Sequence, residues 1–144
     1  MKQYAELRNE IIESALINCI LFNSEILPEI SLMIKPEYFS STKSATAYKK
    51  ILERDAAGYE ISFESCAAVP EISNNFIPTD DTLGYYPAIR YVKEIKTLYH
   101  KRRLYEESRK FVLGLTDSQN ILERLAGYQA NLEEILREDE TIST

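Results

Sequence analysis

The sequence has no tryptophan, only two cysteines (Cys19 and Cys66) and a single histidine, His100. Two cysteines this far apart make neither a disulfide framework nor a zinc-ligand spacing. Cys19 lies on an apolar helix face and reads as a buried free thiol, so the expected compartment is the cytoplasm. Glycine (4) and proline (5) are scarce over 144 residues. So few turn-formers argue against a many-stranded sandwich and for long helices. Uninterrupted apolar runs reach only a few residues, too short for a membrane span. Charges at Lys2, Glu6, Arg8, Glu10 and Glu13 exclude a secretory signal at the start.

Catalytic machinery is also lacking. The four glycines (Gly58, Gly84, Gly114, Gly127) are dispersed and no Gly-x-x-x-x-Gly-Lys-[Ser/Thr] occurs, so no loop can cradle nucleotide phosphates. His100 sits in a basic run and reads as a solvated residue, with no Ser/His/Asp or Cys/His set around it. The acidic runs Glu133-Glu134 and Glu138-Asp139-Glu140 lack partner ligands and read as a solvated helix face and tail. We assign no catalytic, cofactor-binding or metal residue.

What is present is amphipathic helix, and the expected fold is all-α. Residues 9–22 form a first helix with Asn9 as N-cap and Ile12, Leu16, Cys19 and Ile20 on one face. Ser24 is expected to cap a short second helix with Pro28 in its first turn. Lys35-Pro36-Glu37-Tyr38-Phe39 is a turn whose aromatic pair folds back on the core. Ser41 or Thr42 caps a third helix to about Ala57, with Gly58 at C′. Ser62 is expected to cap a helix over 63–69, and residues 70–82 to form a loop. A long helix follows from about Thr82 to Leu113. Gly114 closes it, and Thr116 or Asp117 caps a last helix to about Glu138. In that helix Ile121, Leu125, Tyr128, Leu132 and Ile135 repeat by fours and threes, a heptad seam.

The organisation expected is a globular helical bundle over 1–78, an antiparallel helical hairpin over 79–138, and a polar tail or linker start over 139–144. Net charge is -6, yet residues 90–110 hold eight basic residues against three acidic ones. The second arm, over 123–140, has six acidic and two basic residues, so opposite charges on adjacent arms account for both runs in the plainest way. The two arms carry more apolar surface than one seam buries. The candidate self-association or partner interface is Tyr91, Ile95, Leu98, Tyr99, Arg102, Arg103 and Tyr105 on the first arm, with Ile121, Leu125, Tyr128, Leu132 and Ile135 on the second.

The order of these features resembles the amino-terminal domain of DnaB-type replicative helicases over the first 66 residues. The opening helix reads Asn9-Glu10-Ile11-Ile12-Glu13-Ser14-Ala15-Leu16-Ile17-Asn18-Cys19-Ile20-Leu21, and a Leu-Lys-Pro-Glu-x-Phe-like signature is Ile34-Lys35-Pro36-Glu37-Tyr38-Phe39. Ile51-Leu52-Glu53, Gly58 and Ile61-Ser62-Phe63 follow in family order, and Tyr91, Ile95-Lys96 and Arg102-Arg103-Leu104 fit the start of the hairpin. The family's His-Arg-x-x-Phe is Ser44-Ala45-Thr46-Ala47-Tyr48 here, and residues 67–82 replace a Gly-rich turn by Pro, Asn and Asp, as in a divergent, phage- or element-borne member.

The resemblance implies a helicase module without motor activity of its own. Such helicases are hexameric rings whose amino-terminal domains pair through their hairpins, often as a trimer of dimers. The collar so formed receives the carboxy-terminal domain of the primase. ATP and Mg belong to a separate motor domain, so the chain is expected to be a fragment or a motorless relative. Alternatives are a helicase-binding domain of a primase or accessory factor, and a nucleic-acid binder using Lys96, Lys101, Arg102 and Arg103.

Overall fold

The computed structural model describes residues 7–76, 85–115 and 120–143. Among them are six α-helices and two short 3-10 turns, and no strand.

Helix α1 (Glu10–Phe22) starts where the Asn9 carboxamide accepts from the Ile12 amide at 3.1 Å. It is apolar nearly all round and is the central rod of the bundle, with Leu16, Ile17 and Ile20 fully buried. A 3-10 turn, Ser24–Ile26, leads into α2 (Leu27–Met33), with Pro28 in its first turn. The cap here is Asn23 and not Ser24, because the Asn23 side chain reaches the Glu25 amide at 3.3 Å. In the following turn Tyr38 and Phe39 both fold inward as expected. Phe39 packs on Tyr48 with ring centroids 5.1 Å apart, and the Tyr48 hydroxyl donates to the Ile34 carbonyl at 2.8 Å.

Helix α3 (Thr42–Ala56) is capped by Ser41, and Gly58 follows it at φ 87°. That left-handed position is why glycine stands there. The helix expected over 63–69 is instead a run of turns. Ser62 Oγ accepts from the Ser65 amide at 3.0 Å, and Ser65 Oγ donates to the Glu60 carbonyl at 2.5 Å. Ser62 thus caps this run as expected, but after one four-residue bond, Cys66 N–H to the Ser62 carbonyl at 3.0 Å, the backbone bonds tighten to three residues, Ala67 to Glu64 and Val69 to Cys66, and no α-helix propagates. Part of the expected 70–82 loop is also helical. Pro70 opens the single turn α4 (Pro70–Ser73), which buried Ile72 and Phe76 pin to the core. Residues 77–82 of that loop, with the expected helix start at Thr82, and the caps proposed at Thr116 and Asp117 lie outside the described residues.

Helix α5 (Tyr85–Gly114) has 30 residues, about 45 Å of rod. Ala88, Val92 and Ile95 on its first half complete the bundle core against α1. The hairpin's first arm is therefore shared with the globular part. Helix α6 (Ile121–Ser143) returns antiparallel and runs past the expected end at Glu138. The Asn120 carboxamide accepts from the Glu123 amide at 3.1 Å at its start. At the hairpin's end the Arg124 guanidinium donates to the Lys110 and Phe111 carbonyls at 3.3 and 3.4 Å. A Cβ at Gly114 would collide with that guanidinium. No single helix among the described residues is long and apolar enough to cross a membrane.

Candidate interaction surface

Two junctions fix the hairpin, and between them they use many of the residues expected at an interface. Where α5 leaves the bundle, Tyr99 stacks on Tyr38 with centroids 4.2 Å apart and planes within 14°. Arg102 is buried, with its two terminal nitrogens donating to the Leu7 and Tyr38 carbonyls at 2.8 Å each. A buried guanidinium needs such acceptors. Arg103 pairs with Glu138 across the hairpin, and its guanidinium lies 5.9 Å from the Tyr99 ring centre. Burial pushes the Tyr38 hydroxyl up to about 12 and also raises Tyr99. His100, expected in solvent, is half-buried, with its ring edge-on to Tyr38 at 6.1 Å and Tyr99 at 5.3 Å.

Further out, the arms are held by the Phe111–Tyr128 stack at 4.6 Å. The Ser108 and Tyr128 hydroxyls lie 2.8 Å apart, and Asn131 donates to Glu107 at 2.9 Å. The charge pairing expected between the arms is realised at Arg103–Glu138, whereas Lys110 pairs along its own helix with Glu107 at 3.8 Å.

Ile95, Leu98 and Arg102 are thus buried inside the chain, because the bundle itself takes up this part of α5. Tyr91, Tyr99, Arg103 and Tyr105 are half-buried. On α6 the seam opens progressively: Ile135 is buried, Leu132 and Tyr128 are half-buried, and Leu125 and Ile121 are exposed.

An uncovered apolar surface lies one step round the helices from that seam. Leu122, Leu125, Leu132 and Leu136 follow one edge of α6, with Gln129 between them, at spacings of three and four. Leu122 is 74% exposed and Leu136 61%. From α5, Leu104 is exposed, and it shares with Thr97, His100, Lys101, Leu132, Ile135 and Leu136 a mostly apolar groove of about 460 Å³. Val112 adds exposed apolar surface on the same face of α5, about two turns beyond Leu104. Leu104, Val112, Leu122 and Leu136 were not among the interface candidates. The signal for the α6 pair was the second heptad, offset by one residue from the first.

On the bundle side a cleft of about 630 Å³ is lined by Arg8, Arg102, Arg103 and Lys110 together with Glu37, Glu106 and Glu107. With charges of both signs it favours no anion or cation. Among the described residues no three His, Cys, Asp or Glu side chains converge as a metal site would need.

A helical bundle joined to a two-helix hairpin defines a class of protein: an all-α bundle-and-hairpin domain. The profile of the DnaB-like helicase N terminal domain matches residues 5–76, half of the chain, and the chain belongs to that family. The crystal structure of the N-terminal domain of DnaB helicase from Mycobacterium tuberculosis is similar in fold. Its TM-score is 0.69 at 16% identity, over 88% of this chain and 97% of that one. A search of curated protein sequences finds no match.

Proposed function

We propose that this chain is the assembly and docking domain of a replicative DNA helicase. It associates with copies of itself through the hairpin and receives the carboxy-terminal domain of the primase, in the cytoplasm. ATP and Mg act in a motor domain and not here. The observation that carries this reading is the apolar edge Leu122–Leu125–Leu132–Leu136 with Leu104 beside it, which the chain's own bundle leaves open. Large exposed apolar patches on soluble domains mark partner sites. Family membership supplies the context of DNA replication.

The test is light scattering over a concentration series, with and without a primase carboxy-terminal helical domain. The reading expects a mass that rises from one chain to two or more, and a further complex with primase. A chain that stays monomeric and ignores primase would contradict it. Direct nucleic-acid binding is the weaker reading. Arg90, Lys93 and Lys101 are exposed on α5, but a net charge of -6 opposes a DNA backbone.

A further inference from the structure

The last turns of α6 are held differently from the rest of the hairpin. Among the described residues Ile135 is the last buried side chain of α6; Leu136 and Arg137 after it are exposed, and Glu138 is half-buried. Toward the bundle these turns border a cavity of about 260 Å³, lined by Lys35, Glu37, Glu134 and Arg137 together with the Tyr38–Tyr99 stack. Charged side chains stand there in place of an apolar seam. Glu138 is tied back by its ion pair with Arg103, and Glu134, one turn earlier, adds a second negative charge near that guanidinium.

Arg103 has a second carboxylate within reach. It lines the cleft of about 630 Å³ on the bundle side, and Glu106, one turn on along α5, lines the same cleft. Glu106 holds no ion pair among the described residues. Side chains three residues apart on a helix are neighbours, so a change of rotamer carries the guanidinium from Glu138 to Glu106 without moving the backbone. Both carboxylates are partly solvated, and ion pairs at such sites are weak and screened by salt. Two partners of similar strength make Arg103 a two-position element. Its neighbour Arg102 is not one: it is buried and bonded to the Leu7 and Tyr38 carbonyls, and it keeps α5 in place whichever way Arg103 turns.

We propose that Arg103 is a salt-sensitive latch. Bound to Glu138 it holds the last turns of α6 against the bundle, and turned to Glu106 it frees them. The outer hairpin stays closed through the Phe111–Tyr128 stack, and only the turns beyond Ile135 swing away from Tyr38 and Tyr99. The latch thereby sets the direction in which α6 leaves the domain, whatever covers the hairpin's outer edge.

Hydrogen exchange on the full chain tests it, by comparing amides 134–138 with those of α1 and of 121–128. Glu138→Gln should speed exchange at 134–138 about fivefold and Glu106→Gln should slow it about twofold, with α1 and 121–128 at wild-type rates. Arg103→Gln should match Glu138→Gln, and the two together should add nothing further. Raising salt from about 0.05 to 0.5 M should move the wild type toward Glu138→Gln and leave that variant where it is. Wild-type exchange in Glu138→Gln overturns the latch. So does acceleration that is equally strong at 121–128, which is a general loosening of the hairpin, and so does a Glu106→Gln chain that exchanges as fast as the wild type or faster.

Discussion

Glu13 is among the most buried ionisable side chains in the bundle, and its carboxylate holds two elements together. It accepts from the Ser40 amide at 2.9 Å, the Ser40 hydroxyl at 2.5 Å and the Ser41 amide at 2.8 Å, where α3 begins. Helix starts have unpaired amides, and a carboxylate there is favoured by both hydrogen bonding and the helix dipole. Glu13→Ala should therefore cost about 3 kcal/mol in urea unfolding, with Glu13→Gln losing about half as much. The sequence offered Glu13 only as part of a family pattern, since its partners lie 27 and 28 residues away. Arg102, expected at an interface, meets the Leu7 and Tyr38 carbonyls, and the sequence hid those partners for a related reason: they lie 95 and 64 residues away. Two buried groups set an alkaline limit. Burial raises the Cys19 thiol from 9.0 to about 11 and the Tyr38 hydroxyl from 10.0 to about 12. Both groups are neutral in folded and unfolded chains below pH 9, so stability there is unaffected. Above it the unfolded chain loses these protons first, and stability should fall through the window from about pH 9 to 12. Thermal melts across that range check this, and a Tm that stays flat would contradict it.

At the scale of elements, α1 and α3 could be read from the sequence because cap, stripe and stop agree: Asn9 and Ser41 at the starts, Gly58 after the second end. The segment 62–76 could not be read so well. Serine, proline and asparagine serve a turn and a one-turn helix equally, and burial of Ile72 and Phe76 decided between them. On α6 two heptads overlap. Ile121, Leu125, Tyr128, Leu132 and Ile135 form one row, and Leu122, Leu125, Gln129, Leu132 and Leu136 the next. Periodicity establishes that α6 has an apolar side but not which edge faces α5. The Phe111–Tyr128 stack turns the first row toward α5 and leaves the second row outside. Truncating that stack by Tyr128→Ala should cost about 2–3 kcal/mol locally and loosen the outer hairpin before the bundle. Hydrogen exchange would then show faster amides over 104–128 with those of α1 unchanged. Uniform acceleration over both regions would contradict a separately anchored outer hairpin.

For the whole molecule, the bundle builds a core of its own and fixes the base of the hairpin through Tyr38, Tyr99 and Arg102. The hairpin's lateral edge stays open, and on this account a second copy covers it. Sedimentation equilibrium on the wild-type chain and on Leu122→Lys/Leu136→Lys tests this most directly. Both leucines are exposed, so the substitution should leave the fold and its helical circular dichroism unchanged. The account predicts a concentration-dependent dimer for the wild type and a monomer, still fully helical, for the variant. A wild-type chain that is monomeric throughout, or a dimer indifferent to both lysines, would contradict it.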